Sequence, residues 1–327
     1  MHRNLIAMLA LVALTACGDG QPFFDTSDDG GGVDPVDPPA PGDPGGFDTG
    51  TAGAIPAAII GNLRSVRINP PGPDGEQTIT VDIASLDTTP IRATYLRNTE
   101  LDIPGYSAFS VQEDPLDRMF IALIGTSADG TLQGGVVADG GQFNRFFGGA
   151  FYRRIGTYSP HVPVQLNNGL VSYAGNYAGL SNIDAPRPGQ ILPVPDDTAF
   201  NLIPGQPSRV TGRVFLNADF SNNTINGLVY QRELTDVGLA LPDVVLIVSD
   251  IRTNGTFVGV VENPELGGIG EYAGVFGGTG ATSVAGGLAI ADYLDDIDNE
   301  HEFGIFVISQ CGQPGAPSPC EVVRPFP

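Results

Sequence analysis

The sequence predicts an all-β protein: a small N-terminal β-rich (handle-like) domain followed by an eight-stranded antiparallel β-barrel. Three observations carry that reading. Glycine and proline take 45 and 28 of the 327 residues, a punctuation that breaks helices and suits short strands joined by turns. Strand-like runs recur at short intervals, separated by turn signals such as Ser221-Asn222-Asn223 and Thr253-Asn254-Gly255. Within several runs glycines alternate with aromatics, so a curving backbone can bend while rings cover the gaps.

Charge removes whole classes of function. The chain has 37 acidic side chains against 15 basic ones, for a net charge of −22, and every base is arginine. A nucleic-acid binder needs a basic footprint, and an anionic membrane surface would repel this field. Three cysteines, three histidines and no tryptophan leave little material for a zinc cage or a Cys/His centre. No Ser/His/Asp or paired-carboxylate set stands out, so no enzymatic activity, no metal and no nucleic-acid partner are expected.

Residues 1–16 read as a lipoprotein signal peptide. Arg3 supplies the positive start, and Leu5 to Leu14 form an apolar run of ten residues, too short for the ~20 a spanning helix needs. Leu14-Thr15-Ala16-Cys17 resembles the lipobox of bacterial lipoproteins, in which the cysteine thiol takes a diacylglycerol and becomes the mature N-terminus. Several acyl chains on Cys17, palmitate among them, would anchor the protein firmly at ~0.8 kcal/mol per buried CH₂. Residues 17–54 are rich in Asp, Gly and Pro with little to bury, and read as a disordered tether. About 36 such residues reach roughly 30–35 Å. Asp48-Thr49-Gly50 is the triplet of aspartic proteases, but it has no second copy and no rigid apolar setting.

Residues 55–163 form the expected handle-like domain. Strand-like runs fall at Thr78–Leu86, Ile91–Leu96, Ala108–Gln112, Met119–Gly125 and Thr131–Ala138, with a turn at Ala128-Asp129-Gly130. Arginines and aromatics then concentrate in Gln142–Phe147 and Phe151–Arg154. One reading is a binding surface using Arg145, Phe146, Phe147, Arg153 and Arg154, with His161 nearby, since such residues favour hot spots. The other is a strand whose aromatics enter the core and whose arginines answer carboxylates.

Residues 164–327 supply the barrel. Its strands are expected at Leu170–Gly179, Arg209–Ala218, Thr224–Arg232, Val244–Ile251, Thr256–Glu262, Gly270–Gly277, Ser283–Ala291 and Glu302–Gln310. Asn254-Gly255 favours a tight type I′ hairpin. Eight strands can close and so abolish edges, around an interior just wide enough to be filled by side chains.

Three segments resemble one family. Tyr173-Ala174-Gly175-Asn176-Tyr177-Ala178-Gly179 is similar to the opening barrel strand of the transferrin-binding-protein-B-like surface lipoproteins of Gram-negative bacteria. Gly212–Phe220 resembles its second strand and turn. Tyr272–Gly278 followed by Ala281–Leu288 is the nearest match, with Gly280 where an acidic or polar residue is usual. The resemblance covers about Leu170–Gln310. It implies one handle and one barrel, half of a two-lobed transferrin binder, on a monomer anchored by lipid to the outer membrane. It also implies cell-surface exposure, although the periplasmic face stays open. Such a protein would capture a protein or a small nutrient such as haem through loops and handle. The alternative is a structural envelope lipoprotein without a dedicated ligand. His161 and His301 are the histidines left for a haem iron after signal removal.

Three further features complete the reading. Asp292, Asp295, Asp296, Asp298, Glu300 and Glu302 invite a calcium site, but without the turn glycine and alternation of such loops they read as a solvated loop. Gly278-Thr279-Gly280-Ala281 lies between strands and lacks the helix N-terminus of a phosphate cradle. Cys311 and Cys320 are an even pair in an exported chain, with prolines and glycines between them, and are expected to form a disulfide. Closing about ten residues would contribute roughly 2.5–3 kcal/mol in the chain-entropy picture.

Overall fold

The computed structural model describes residues 46–48, 55–84, 91–143, 145–163, 169–185, 189–263, 267–312 and 320. Two antiparallel sheets account for nearly all of the regular structure. The first contains β1 (Gly46–Asp48), β2 (Leu63–Ile68), β3 (Thr78–Ile83), β4 (Ile91–Arg97), β5 (Ser107–Val111), β6 (Phe120–Thr126), β7 (Leu132–Asp139) and β8 (Gly148–Arg154), in simple meander order. A single turn of helix, α1 (Ala57–Ile60), precedes β2 and buries Ile59. The sheet curls until Asn62 N–H donates to Gly148 O of β8 at 2.9 Å, leaving it nearly closed. Two parts of it depart from the sequence reading. β2 was not expected, and β1 lies within residues 17–54, where Gly46–Asp48 pairs with Ser65–Arg67. The arginines of Leu63-Arg64-Ser65-Val66-Arg67-Ile68 break strict alternation, so a period-two search passes over β2.

The second sheet is the barrel. It comprises β9 (Leu170–Asp184), β10 (Pro207–Asp219), β11 (Thr224–Leu234), the short β12 (Leu239–Leu241), β13 (Val244–Asp250), β14 (Thr256–Asn263), β15 (Gly267–Gly277), β16 (Ser283–Ala291) and β17 (His301–Gln310). β10 pairs with β9 on one side and β11 on the other, which closes a ring of eight antiparallel strands with β12 appended to β11. All eight expected barrel strands are present in their expected order.

Inward positions alternate large rings with glycine. A side chain on Gly286 would meet Phe306 at 2.3 Å, one on Gly274 would meet Phe257 at 2.4 Å, and one on Gly259 would meet Tyr272 at 2.4 Å. Each ring thus lies over the bare backbone of its neighbour. Tyr173, Tyr177, Phe257, Tyr272, Phe276 and Phe306 together fill the interior, as the width of an eight-stranded barrel requires.

The outer face of the barrel carries small residues where the first sheet lies on it. Ala178, Ala273, Ala285 and Ile305 share one apolar cluster with Tyr106, Ile121, Val136, Ala150 and Tyr152 of the first sheet. β7 is consequently buried along its whole length. Val137 faces the first sheet's own core and Val136 faces the barrel. Tyr106 fastens the join: its hydroxyl donates to Asn176 O at 2.8 Å and accepts from Val307 N–H at 3.1 Å.

Three local expectations are corrected. The β13–β14 connection is five residues long, 251–255, and turns over Arg252–Gly255, not through a type I′ turn at Asn254-Gly255. Gly255 (φ 75°) is left-handed while Asn254 is not, and Gly255 N–H returns to Arg252 O at 2.8 Å. Gln142–Phe147 is a turn, not a strand, with one isolated bridge between Gln142 and Arg145. The acidic segment after β16 is not wholly solvated, because Glu300 and Glu302 are buried. Glu300 closes the loop by accepting Leu294 N–H at 2.6 Å. Among the described residues no three acidic, His or Cys groups converge as a metal would need. No described helix is long and apolar enough to cross a membrane. Cys311 is joined to Cys320 by a disulfide with Cα atoms 5.3 Å apart, and Cys311 N–H donates to Ser172 O of β9 at 2.8 Å.

Candidate interaction surface

Three connections meet beside the first sheet: 112–119, 140–147 and the described part of the β9–β10 connection, 189–206. Gln142 is the clasp. Its Nε2 donates to Leu116 O at 2.9 Å and to Leu202 O at 2.8 Å. Gly205 N–H adds a bond to Gly141 O at 2.9 Å, and Leu192 N–H one to Gln112 Oε1 at 2.7 Å.

Beneath the clasp lies a buried ion pair, Arg118–Asp139. Arg118 also donates Nη2 to Gln142 O at 2.7 Å and Nη1 to Arg145 O at 3.0 Å, and its guanidinium sits 4.7 Å from the Phe147 ring centre. Asp139 accepts from Phe147 N–H at 2.9 Å and Gly141 N–H at 3.2 Å. Burial pushes the Asp139 carboxyl up to about 6, outweighing Arg118 and these N–H groups, which favour the ionised form. The turn from 140 to 147 is therefore set by one guanidinium and one carboxylate that consume its carbonyls and amides.

Around this rigid base stand apolar side chains left in solvent. Phe200 is 90 % exposed and Phe143 is 49 % exposed, with Leu116, Leu202 and Ile203 also exposed. Phe143 is held at φ 55°, a left-handed conformation that costs a bulky residue strain. Glu113, Asp114, Asp117, Asp196 and Asp197 belong to the same connections.

The residues singled out from sequence divide between two places. Arg145 is exposed on the 140–147 turn, Phe147 is half-buried under Arg118, and Phe146 stacks on Phe303 of the barrel at 5.9 Å. Arg153 Nε donates to Gln133 Oε1 at 2.9 Å across the β7–β8 ladder. Arg154 leaves for the barrel rim, where it donates to Phe276 O at 2.9 Å and Asn254 O at 3.1 Å under Tyr158. His161 lies against Phe220 at 5.1 Å, and His301 is exposed at the start of β17. Cys17 lies outside the described residues.

Sequence reasoning missed Arg118, Asp139 and Phe200. For the first two a signal existed: pairing outward from the Ala128–Gly130 turn places Phe120 opposite Asp139, which brings Arg118 and Asp139 to neighbouring positions. Phe200 carried no such signal, since nothing in Asp197-Thr198-Ala199-Phe200 distinguishes an exposed ring from a buried one.

A second polar cluster lies inside the barrel. Arg232 Nη2 donates to Glu302 Oε2 at 2.7 Å, and Tyr293 Oη donates to the same oxygen at 2.9 Å. Tyr177 Oη donates to Glu302 Oε1, and Arg232 Nη1 to Pro242 O at 2.6 Å. Burial, and then the Glu302 carboxylate, hold the Tyr177 and Tyr293 phenols well above their ordinary range. Burial opposes the charge on Arg232, but Glu302 and the two phenols keep it above its usual value. A bulge turns Arg232 inward: the register shifts between Thr211 and Arg213, and Gln231 sits at φ 50°.

The fold and surface define a two-sheet β protein whose barrel is filled by its own side chains and whose exposed rings stand on connections. No protein-family model matches the chain, and no curated protein matches it in sequence. Among solved structures it is similar to transferrin-binding protein B, the family its barrel motifs resemble. A double mutant of that protein from Haemophilus parasuis Hp5 is 10 % identical, with 76 % of this chain and 54 % of that one covered at a TM-score of 0.38. Intact Ap-TbpB (N and C lobes) is 11 % identical, with 76 % and 54 % covered at 0.37. The isotype 1 protein from serogroup B Neisseria meningitidis is 14 % identical, with 76 % and 52 % covered at 0.32. The chain spans about half the length of these structures. At this level of superposition no function passes from them to this protein.

Proposed function

We propose that this protein is a ligand-capturing lipoprotein of the bacterial cell surface, held by acylated Cys17 and engaging a protein partner through the surface around Phe143 and Phe200. The observation that carries the reading is Phe200, 90 % exposed on a connection clasped to the handle by Gln142 and Gly205. A large ring held ready in water favours binding because little ordering entropy is left to lose. Arg145, exposed on the same turn, adds a donor at the edge of the contact. A protein suits this surface better than haem does. The barrel interior is filled, and His161 is packed against Phe220. The segment 17–45, ahead of β1, then serves as a spacer between lipid and handle, and the outer membrane is the site of anchoring.

The test compares wild type with Phe200→Asp and Phe143→Asp, displayed on cells and exposed to the proteins of the surrounding fluid. A partner retained by wild type and released by both variants supports the reading. An unchanged bound set across all three proteins overturns it and leaves the structural envelope role. Intact mass of the membrane-extracted protein tests the anchor separately, since an unacylated chain starting elsewhere than Cys17 would remove it.

A further inference from the structure

A cleft of about 340 Å³ opens where Glu100 and Leu101 of the handle meet Gln190, Gln206, Arg209 and Asp236 of the barrel and its β9–β10 connection. That volume falls at the low end of the ligand-pocket range of roughly 300–1,000 Å³. None of these residues belongs to the apolar surface around Phe200, so the inference does not rest on protein capture.

The polar groups of the cleft are arrayed but not used up. Gln206 is only 3 % exposed, and its Oε1 accepts Gln190 N–H at 3.3 Å. Its Nε2 borders the cleft and donates to no described residue. Water of the cleft reaches this donor in the free protein, and a ligand acceptor would take that water's place. Gln190 is fixed at both ends of its amide, accepting from Asn98 Nδ2 at 2.8 Å and donating to Glu100 Oε2 at 2.8 Å. This orients the Glu100 carboxylate and leaves its Oε1 open as an acceptor. Arg209 is clamped by Asp236, with Nη2–Oδ1 at 2.6 Å and Nε–Oδ2 at 3.1 Å, while Nη1 reaches towards Glu100 O at 3.5 Å.

This donor–acceptor pattern selects one ligand chemistry. Two carboxylates beside one guanidinium oppose a phosphate or other anion. An apolar ligand would strand Gln206 Nε2 and the remaining Arg209 N–H groups. A hydroxyl both donates and accepts, so vicinal hydroxyls can satisfy Gln206 and Glu100 together, while Leu101 and Ala185 offer an apolar wall to ring C–H groups. We propose that this cleft binds a neutral saccharide of one or two rings.

The test is a titration of the ¹⁵N-labelled mature chain with glucose, galactose and maltose, following the Gln206 side-chain amide. A saturable shift of that resonance by at least one of these sugars is expected, with no such shift from glycine or inorganic phosphate. Gln206→Leu and Glu100→Gln should each weaken the affinity about tenfold or more, the scale of one lost hydrogen bond. Glu100 is exposed, so its variant keeps the test valid where Gln206→Leu fails to fold. No saturable response to any of the three sugars, an equal response to glycine or phosphate, or unchanged affinity in Glu100→Gln would overturn the proposal.

Discussion

Arg232 and Glu302 meet inside the barrel with neither side chain exposed to solvent, Nη2 to Oε2 at 2.7 Å. They come from β11 and β17, strands that are not neighbours in the ring. A buried ion pair contributes little net stability against well-packed apolar residues, but a half-removed one leaves a charge stranded.

Glu302→Gln is therefore expected to destabilise the protein by about 3–5 kcal/mol in urea unfolding. The double change Arg232→Met with Glu302→Gln should recover a large part of that loss. Equal destabilisation by single and double variants would mean that the pair is not the source of the cost. The same site gives a pH effect. Tyr177 and Tyr293 ionise with more difficulty folded than unfolded, so their share of stability is complete below the free phenol range, ~10, and is lost as pH rises above it. An alkaline titration should show their tyrosinate absorbance appearing only together with unfolding.

Gly304 is the second sensitive position in this region. A methyl group there would lie 1.8 Å from Tyr177 Oη, so the ring must move and its bond to Glu302 must break. Gly304→Ala should cost about 1–3 kcal/mol or more by overpacking. Gly72→Ala has its nearest neighbour at 3.8 Å and serves as the control, expected within about 0.5 kcal/mol of wild type. Comparable losses in both variants would show that steric contact with Tyr177 is not the cause.

Asp139 carries an opposite signature from an ordinary salt-bridged carboxylate. Its folded value of about 6 lies above the free value of 3.8, so its share of stability is complete below about 4 and is lost as pH rises through about 6. Two pH units correspond to about 3 kcal/mol. The stability difference between wild type and Asp139→Asn should fall by that order between pH 3 and 7 and then level off. A difference that grows with pH in this window would reverse the assignment.

The net charge of −22 with no lysine makes the compact state repel itself. Added sodium chloride screens that repulsion, since the Debye length falls from ~10 Å at 0.1 M to ~3 Å at 1 M. The melting temperature should rise over that range. A fall would place the greater weight on exposed pairs such as Arg92–Asp82, which salt weakens.

Much of the architecture was legible because its signals are local. Turn residues and alternating glycine and aromatic positions marked the barrel strands within two residues of their ends, except that β9 runs on to Asp184 and β15 begins three residues early, at Gly267. The candidate site was only half legible. Gln142–Phe147 stood out by composition, but of its described residues only Phe143 and Arg145 are exposed. Phe200 gains its meaning from the distant Gln142 that holds its connection in place. Glu302 reads as one more acid in an acidic run, and only the register of β17 aims it inward.

The residues alone determined the order of the eight barrel strands, the solid barrel and the acidic, lysine-free composition, since period, turn chemistry and charge need no knowledge of what lies across the fold. Tertiary structure decided which face each strand shows after a bulge, which outer barrel face the handle covers, and which rings remain in water. The reason is physical. A one-residue shift at Gln231 turns Arg232 from outside to inside, and its partner Glu302 lies 70 residues away along the chain. Such a pairing is settled by closure of the ring, not by any property of either segment.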